Sequence, residues 1–341
     1  MNTTEPSLVP LILYHAHCAD GFGAAFAAWK HFGNEAEYRA VKYGECINKA
    51  DVLNRTVVIL DFSYPKNTMD AIFDDAAQVV WLDHHKTAFE MYGLPLNDET
   101  LQYYTAYDIG LVYDNGLGTD SRHKVVLDNT RSGAMIAWDW FQRHDTVPKL
   151  IEHIDDYDRW QFKIHGTKEF NKFLWSTIPW SFEQWDNILT MPEPVMHGTY
   201  VAGEAILRAH NQNVQAVIAS SKQPCTIVWW DHTPIENPHE DHKNMTSARE
   251  VYVEGLAVNC PKHLASDAGH ELATECGTFG LTWFQRADGK IECSLRSNGY
   301  YDVSAIAKKF GGGGHRNAAG FELANMSILQ SWFYPNRRFG K

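Results

Sequence analysis

No stretch of this sequence supplies the roughly 20 consecutive apolar residues that a bilayer-spanning helix needs. The apolar run near the amino terminus, Leu8-Val9-Pro10-Leu11-Ile12-Leu13, is short and no Lys or Arg precedes it, so it reads as neither signal peptide nor anchor. A cytoplasmic protein with no membrane partner is expected. Cysteine is sparse and unpatterned. The six residues Cys18, Cys46, Cys225, Cys260, Cys276 and Cys293 include no CxxC pair, which suits reduced thiols and not a disulfide frame or structural zinc site. Positive charge is also short: 30 Lys and Arg face 42 Asp and Glu, giving a net charge of −12 and a pI near 5.8. That balance argues against a broad basic face for long duplex nucleic acid, whose affinity comes from cations meeting phosphates. A short anionic substrate held by a few cations or metals is still allowed. Gly21-Phe22-Gly23 lacks the third glycine of a dinucleotide fingerprint, since Phe26 stands in its place.

What the sequence does contain is enough apolar material for two cores: 341 residues, 44% of them apolar, against ~100–200 residues for one domain. Short apolar runs at 11–15, 56–60 and 79–82, separated by helix-length segments such as Phe22 to Phe32, predict a parallel sheet covered on both faces. From residue 90 to 130 the pattern is irregular and reads as a surface excursion. A helix follows Ser132 and leads towards Ile151 to Trp160. Pro179, Pro192 and Pro194 mark a linker, with a helix from Val201 to Ser221. Beyond it, Cys225 to Trp230, Leu256 to Val258, Phe279 to Phe284 and Ile291 to Leu295 are strand-like, and Val303 to Phe310 is a short amphipathic helix. The expected fold is α/β in two parts: an N-terminal parallel-sheet domain over residues 1–190, a linker helix over 191–222, and a smaller C-terminal α/β domain over 223–341.

Each of the three N-terminal strands ends in polar residues, where open α/β sheets place their sites. The first ends in His15-Ala16-His17-Cys18-Ala19-Asp20-Gly21, the second in Asp61, the third in Asp83-His84-His85. His15 alone reads as a hydrogen-bonded strand end and Asp20 as a helix cap. A carboxylate closing an all-apolar strand is costly to desolvate unless it is hydrogen-bonded or metal-bound, and three such strand ends together exceed what packing explains. A fourth cluster, Ile154-Asp155-Asp156-Tyr157-Asp158-Arg159-Trp160, reads by itself as a solvated acidic turn. Imidazole and carboxylate donors suit a divalent cation such as manganese or zinc. The loop from Asp231 to His242, with His232, His239 and His242, reads as a solvated surface loop and not as a second metal site. Trp175 to Trp185 reads as core or inter-domain packing, a homodimer face being the other reading.

In this order the motifs resemble the DHH phosphoesterase family, named for the triplet that stands here as Asp83-His84-His85. Ser294-Leu295-Arg296-Ser297 and Gly311-Gly312-Gly313-Gly314-His315-Arg316-Asn317-Ala318-Ala319-Gly320 resemble its DHHA1 domain. The resemblance covers residues 11 to 322 and implies two divalent metal ions, manganese first, with zinc, cobalt or magnesium as alternatives, in a cleft between the domains. It implies that Asp61 bridges both ions, that Asp20, His84 and Asp156 bind one, and that His15 helps bind the other, while His85 faces the scissile phosphate. Arg296 and Ser297 would hold the substrate's phosphate or terminal nucleotide, with Gly313, Gly314 and His315 completing the pocket. Those residue types fit the chemistry: two adjacent cations lower the pKa of a water and neutralise a phosphate, Arg grips phosphate oxygens as a fork, and consecutive glycines let backbone N–H groups approach an anion.

The family's first motif commonly reads Asp-x-Asp, whereas Cys18 holds the first of those positions and Asp20 the second. Cys18 is then a soft ligand, or the first ion is held more weakly, and His17 is an alternative to His15. In the fourth motif Asp155 and Asp158 compete with Asp156. The resemblance implies a phosphodiesterase that cleaves short oligonucleotides or cyclic nucleotides to mononucleotides. The alternatives are a 3′-phosphoadenosine 5′-phosphate phosphatase and a non-catalytic nucleotide-sequestering protein. The acidic balance makes a long-strand exonuclease a poorer fit.

Overall fold

The computed structural model describes residues 9–42, 44–95, 104–105, 122–143, 145–234, 246–299 and 301–333, and in 230–234 and 246–249 the backbone alone. The chain divides into two compact units, Met1–Arg208 and Ala209–Lys341. The fold is the two-part α/β architecture that the strand and helix pattern predicts.

In the first unit, β1 (Leu11–His15), β2 (Glu37–Val41), β3 (Thr56–Leu60), β4 (Gln78–Asp83), β5 (Tyr104–Thr105) and β6 (Lys124–Leu127) form one sheet in the order β2-β1-β3-β4-β6-β5. All neighbours run parallel except β5 against β6. Helices α1 (Ala19–Phe32), α2 (Lys49–Val52), α3 (Lys66–Asp75), α4 (Lys86–Met91), α5 (Gly133–Phe141), α6 (Lys149–Asp158), α7 (Thr167–Ser176), α8 (Phe182–Leu189) and α9 (Glu193–Ser221) follow in chain order. Alternate strand residues go to opposite faces, as a pleat demands. Ile12, Val58, Leu60 and Leu82 join Phe26, Trp138, Ile151 and Trp185 in one core, while Leu11, Leu13, Ile59 and Trp81 join Phe73 and Phe89 in the other. Burial on both faces is why these strands read as unbroken apolar runs.

Three local expectations change. Part of the supposed surface excursion is β6, whose Val125 and Leu127 are buried; its four residues beginning with a lysine are too few to show a period, and the rest of that stretch lies outside the described residues. The supposed linker contains α8, which buries Trp185 completely. Long helix α9 starts at Glu193, ahead of the expected Val201, because Pro194 falls in the first turn, where a missing N–H costs nothing. Edge strand β2 escaped notice because it is polar: Arg39 spans Glu37 and Asp51, a charged edge that discourages pairing with other chains.

A buried hydrogen-bond chain joins α6, α7 and α9. Thr167 Oγ1 donates to Asp156 Oδ2 at 2.7 Å, so His153 Nδ1–H must donate to Thr167 Oγ1 (2.8 Å) and Nε2 accepts from the Tyr200 hydroxyl (2.7 Å). Burial pushes His153 down to about 4, so the fold holds the ring neutral. The unfolded chain, with the ordinary value near 6.5, binds more protons below that pH. Stability is therefore complete above pH 6.5 and lost as pH falls from 6.5 towards 4. In chelator, thermal unfolding of the wild type should show this slope and His153→Gln should show it flattened; equal slopes would remove His153 as the cause.

The second unit forms its own sheet from β7 (Gln223–Pro234), β8 (Thr246–Asn259), β9 (Gly280–Gln285), β10 (Ile291–Arg296), β11 (Gly313–His315) and β12 (Ala318–Leu323), in the order β11-β12-β10-β9-β8-β7. Only β8 and β9 pair in parallel, and α10 (Ala265–Cys276) makes the crossover that a parallel pair requires. Helices α11 (Val303–Lys309) and α12 (Met326–Phe333) pack a core around Phe279, Leu281, Leu295, Phe321 and Trp332, whereas Ala265, Ala268 and Leu272 of α10 join Val214, Ile218 and Val258 in a separate cluster. The glycine run is an edge strand: β11 pairs with β12, and a Cβ on Gly312 would stand 2.1 Å from the Gly320 carbonyl oxygen. His239 and His242 lie outside the described residues. No helix among the described residues is long and apolar enough to cross a membrane.

Candidate metal centre

Strand register builds the centre. Tyr14 pairs with Leu60 and Leu60 with Leu82, so the next residues, His15, Asp61 and Asp83, stand at one carboxyl edge. Asp61 continues the ladder by donating its N–H to the Leu82 carbonyl at 2.9 Å, yet its φ is +61°, a left-handed conformation that non-glycine residues seldom adopt outside constrained sites. That turn brings its carboxylate back over the strand ends, against α5. A Cβ on Gly133, the first residue of α5, would stand 2.7 Å from Asp61 Oδ1, so only glycine admits the aspartate there.

Asp61 is 1% exposed. His84 Nε2 stands 3.0 Å from its Oδ1, His15 Nδ1 3.5 Å from its Oδ2 and His85 Nδ1 3.8 Å from Oδ1. His84 Nε2 also lies 3.3 Å from Asp20 Oδ2 and 3.7 Å from Asp158 Oδ2. Asp83 Oδ1 accepts the N–H groups of His84 (2.8 Å) and His85 (3.1 Å) and contacts His85 Nδ1 at 2.8 Å, so this carboxylate sets the orientation of the DHH turn and of the His85 ring. Asp20 caps α5 from a distance in sequence, accepting from Gly133 N (2.7 Å) and Ala134 N (2.8 Å).

Within the first unit donor atoms gather in three groups, each within 4.8 Å: His15, Cys18 and Asp61; Asp61, Asp83 and His85; and Asp20, His84 and Asp158, the last joined to the others where His84 Nε2 meets Asp61. Four carboxylates share this space. Both Asp61 oxygens are buried without a hydrogen bond of regular geometry, which would cost several kcal/mol per charge in the absence of a counter-ion. Electrostatics points the same way. Burial opposes a charge on His84, but Asp61 and the charges of Asp158 and Asp83 outweigh it and push the imidazole up to about 9. Burial also resists ionisation of Asp61, yet His15, His84 and His85 hold it well below the usual carboxylate range. Asp20 is driven well up by burial and by Asp61 and Asp158. A proton on His84 thus does the work of a cation, and the donor set fits divalent metal ions.

Of the residues expected at the site, His15, Cys18, Asp20, Asp61, His84 and His85 come together. Asp156 does not. Its Oδ1 accepts Lys163 N (2.8 Å), and its Oδ2 accepts Ile164 N (3.1 Å) besides Thr167 Oγ1. Asp158 takes the place expected of it, 29% exposed at the rim of the cluster. Helical spacing explains the difference: Ile151, Ile154, Asp155 and Asp158 share the stripe of α6 that faces α5 and the sheet, while Asp156 lies with His153 on the other side. Asp155 accepts Ser132 N at 2.7 Å, a supporting role. Asp156→Asn should lower stability by about 1–3 kcal/mol through its stranded N–H donors with metal content unchanged. Asp158→Asn should leave chelated stability intact but weaken metal binding by roughly 10–100-fold. Calorimetry and metal titration of both variants separate the roles; the reverse pattern would restore Asp156.

In the second unit Arg296 ends β10, half-buried, with Nη2 donating to Ser266 Oγ at 2.7 Å and Nη1 to the Leu295 carbonyl. Ser297, expected to touch substrate, is 4% exposed; its hydroxyl donates to the Tyr301 carbonyl (2.6 Å) and its N–H to the Asn317 carbonyl (3.0 Å). It ties two loops together. Gly313, Gly314 and His315 lie half-buried on β11. Sequence reasoning missed Asp128, which follows β6 as a turn anchor for Thr130 and Arg131, and missed Gly133. The Ser-Gly pair opening α5, with Ser132 Oγ accepting from Met135 N, was the available signal.

Residues 264–331 match the DHHA1 domain, and the stretch contains both C-terminal motifs. The chain is 28% identical over 338 residues to an uncharacterized protein of Acanthamoeba polyphaga mimivirus, covering 93% of this chain and 68% of that one. Among solved structures it is similar to the pGpG-specific phosphodiesterase PggH of Vibrio cholerae, at 12% identity and TM-score 0.39 over 92% of this chain and 93% of that one. It is also similar to RecJ of Thermus thermophilus in complex with Mn2+, at 9% identity and TM-score 0.46 over 97% of this chain and 52% of that one. Residues 264–331 thus carry a DHHA1 domain, downstream of Asp83-His84-His85 at the carboxyl edge of a parallel sheet, an order of motifs similar to that of the DHH/DHHA1 phosphoesterases.

Proposed function

We propose that this protein is a metal-dependent phosphodiesterase that hydrolyses short oligonucleotides or cyclic nucleotides to mononucleotides. The observation that carries the reading is Asp61: a strained, buried carboxylate with no regular hydrogen bond, flanked by the imidazoles of His84 and His15. His15, Cys18 and Asp61 would hold one divalent ion and Asp20, His84 and Asp158 the other, with Asp61 common to both. Two such ions, manganese first, supply an activated water and neutralise the phosphate. Asp83 holds the Nδ1 side of His85, directing Nε2 to the substrate phosphate. Burial opposes charge on that ring, but Asp83 outweighs it and raises its pKa, so His85 is suited to donate a proton to the leaving oxygen. On the family resemblance, Arg296 and His315 recognise the substrate's anionic end. A net charge of −12 favours small substrates over long strands.

Turnover with added manganese should be measured on linear dinucleotides, cyclic dinucleotides, cyclic oligoadenylates and 3′-phosphoadenosine 5′-phosphate. Cleavage of a diester to mononucleotides is the expected result. Activity on the phosphomonoester alone would make the protein a phosphatase, and tight binding without any turnover would make it a sequestering protein.

A further inference from the structure

Two donor groups that meet at Asp61, one containing it and the other bringing His84 Nε2 within 3.0 Å of its Oδ1, are chemically unlike. Asp20, His84 and Asp158 offer two oxygens and a nitrogen; His15, Cys18 and Asp61 offer nitrogen, sulfur and oxygen. Cys18 occupies the N-cap of α1 in extended conformation, and its sulfur lies within 4.8 Å of both His15 Nδ1 and an Asp61 oxygen. The second, independent sign of a ligand is Asp61 Oδ2, buried without a hydrogen bond of regular geometry and 3.5 Å from His15 Nδ1. Sulfur selects zinc or cobalt over magnesium and manganese, whereas oxygen-rich sites accept the harder ions.

We infer that the two subsites differ in metal preference, the one at His15, Cys18 and Asp61 being a thiolate site for a borderline-soft ion such as Zn2+. On binding, the sulfur–metal bond forms as the S–H bond breaks, and the proton leaves to the buffer. The inference rests on the metal-centre reading above and refines it. Ordinary manganese dependence would then report on the oxygen-rich subsite alone.

Co2+ titration of the full chain tests this without any substrate. The wild type should show a near-ultraviolet sulfur-to-cobalt charge-transfer band together with visible d–d bands, and one equivalent of Zn2+ should remove the charge-transfer band first. Cys18→Ser should lose that band, keep d–d absorption, and bind Zn2+ at least about 10–100-fold more weakly, the scale set by losing even a supporting residue. Cys18→Asp should shift the ratio of Mn2+ to Zn2+ affinity towards manganese by about tenfold or more. Cobalt bound with d–d bands but no band dependent on Cys18, or an unchanged ratio in Cys18→Asp, overturns the thiolate site and leaves the metal centre standing. No cobalt bound at all overturns the metal centre itself.

Discussion

Asp61→Asn should abolish both metal loading and hydrolysis. The substitution keeps the size of the side chain and so respects the contact with Gly133, but it removes the charge that belongs to the His15 and Cys18 group and stands 3.0 Å from His84 of the other. It also places an amide N–H₂ against His84 or His15, where an acceptor is needed. Removing one preorganised group from a charge-stabilising site costs about 10²–10³-fold in kcat; losing the shared ligand of two ions should reach at least that. Elemental analysis after gel filtration and turnover with manganese read the two effects together. In chelator the variant should melt no lower than the wild type, because the lost charge is uncompensated there. Retained metal with lost activity would move Asp61 from ligand to acid–base duty, and retained activity would sink the proposed site.

His85→Ala separates chemistry from metal binding. Of the two histidines in the triplet, His84 is surrounded by Asp61, Asp20 and Asp158, whereas His85 is held at 2.8 Å by Asp83. A residue that serves the phosphate contributes by proton transfer or charge, typically about 10²–10⁴-fold. The expected result is a fall in kcat of that order with metal content unchanged and KM little altered, and a pH–rate profile that loses its acidic-group limb. Loss of metal on the scale seen for Asp61→Asn would instead make His85 a ligand, as its place in the third donor group also permits.

Much of this donor cluster could be read along the chain because its side chains end strands. A strand buried on both faces is continuous in sequence, and its last residue is where polarity returns, so His15, Asp61 and Asp83 were visible as breaks in apolar runs. The fourth contributor was not, because α6 carries three acids within four residues and proximity in sequence says nothing about side. The apolar stripe Ile151–Ile154 decides it: positions three or four residues further on, Asp155 and Asp158, follow that stripe, and Asp156 falls among His153, Thr167 and Tyr200. Knowing where α6 ended would have been enough.

By itself, the sequence determined the α/β class, the two-part organisation, and the carboxyl-edge position of the donor cluster with most of its members, since these follow from local periodicity and from the cost of burying charge. The tertiary structure alone decided what Asp61 is: a left-handed turn pressed on Gly133, with Asp20 pinning the same helix start from more than a hundred residues away. It alone assigned Ser297 to loop anchoring and placed sulfur beside nitrogen and oxygen at one end of the cluster. Such facts depend on contacts between segments far apart in the chain, and no local pattern encodes the distance between them.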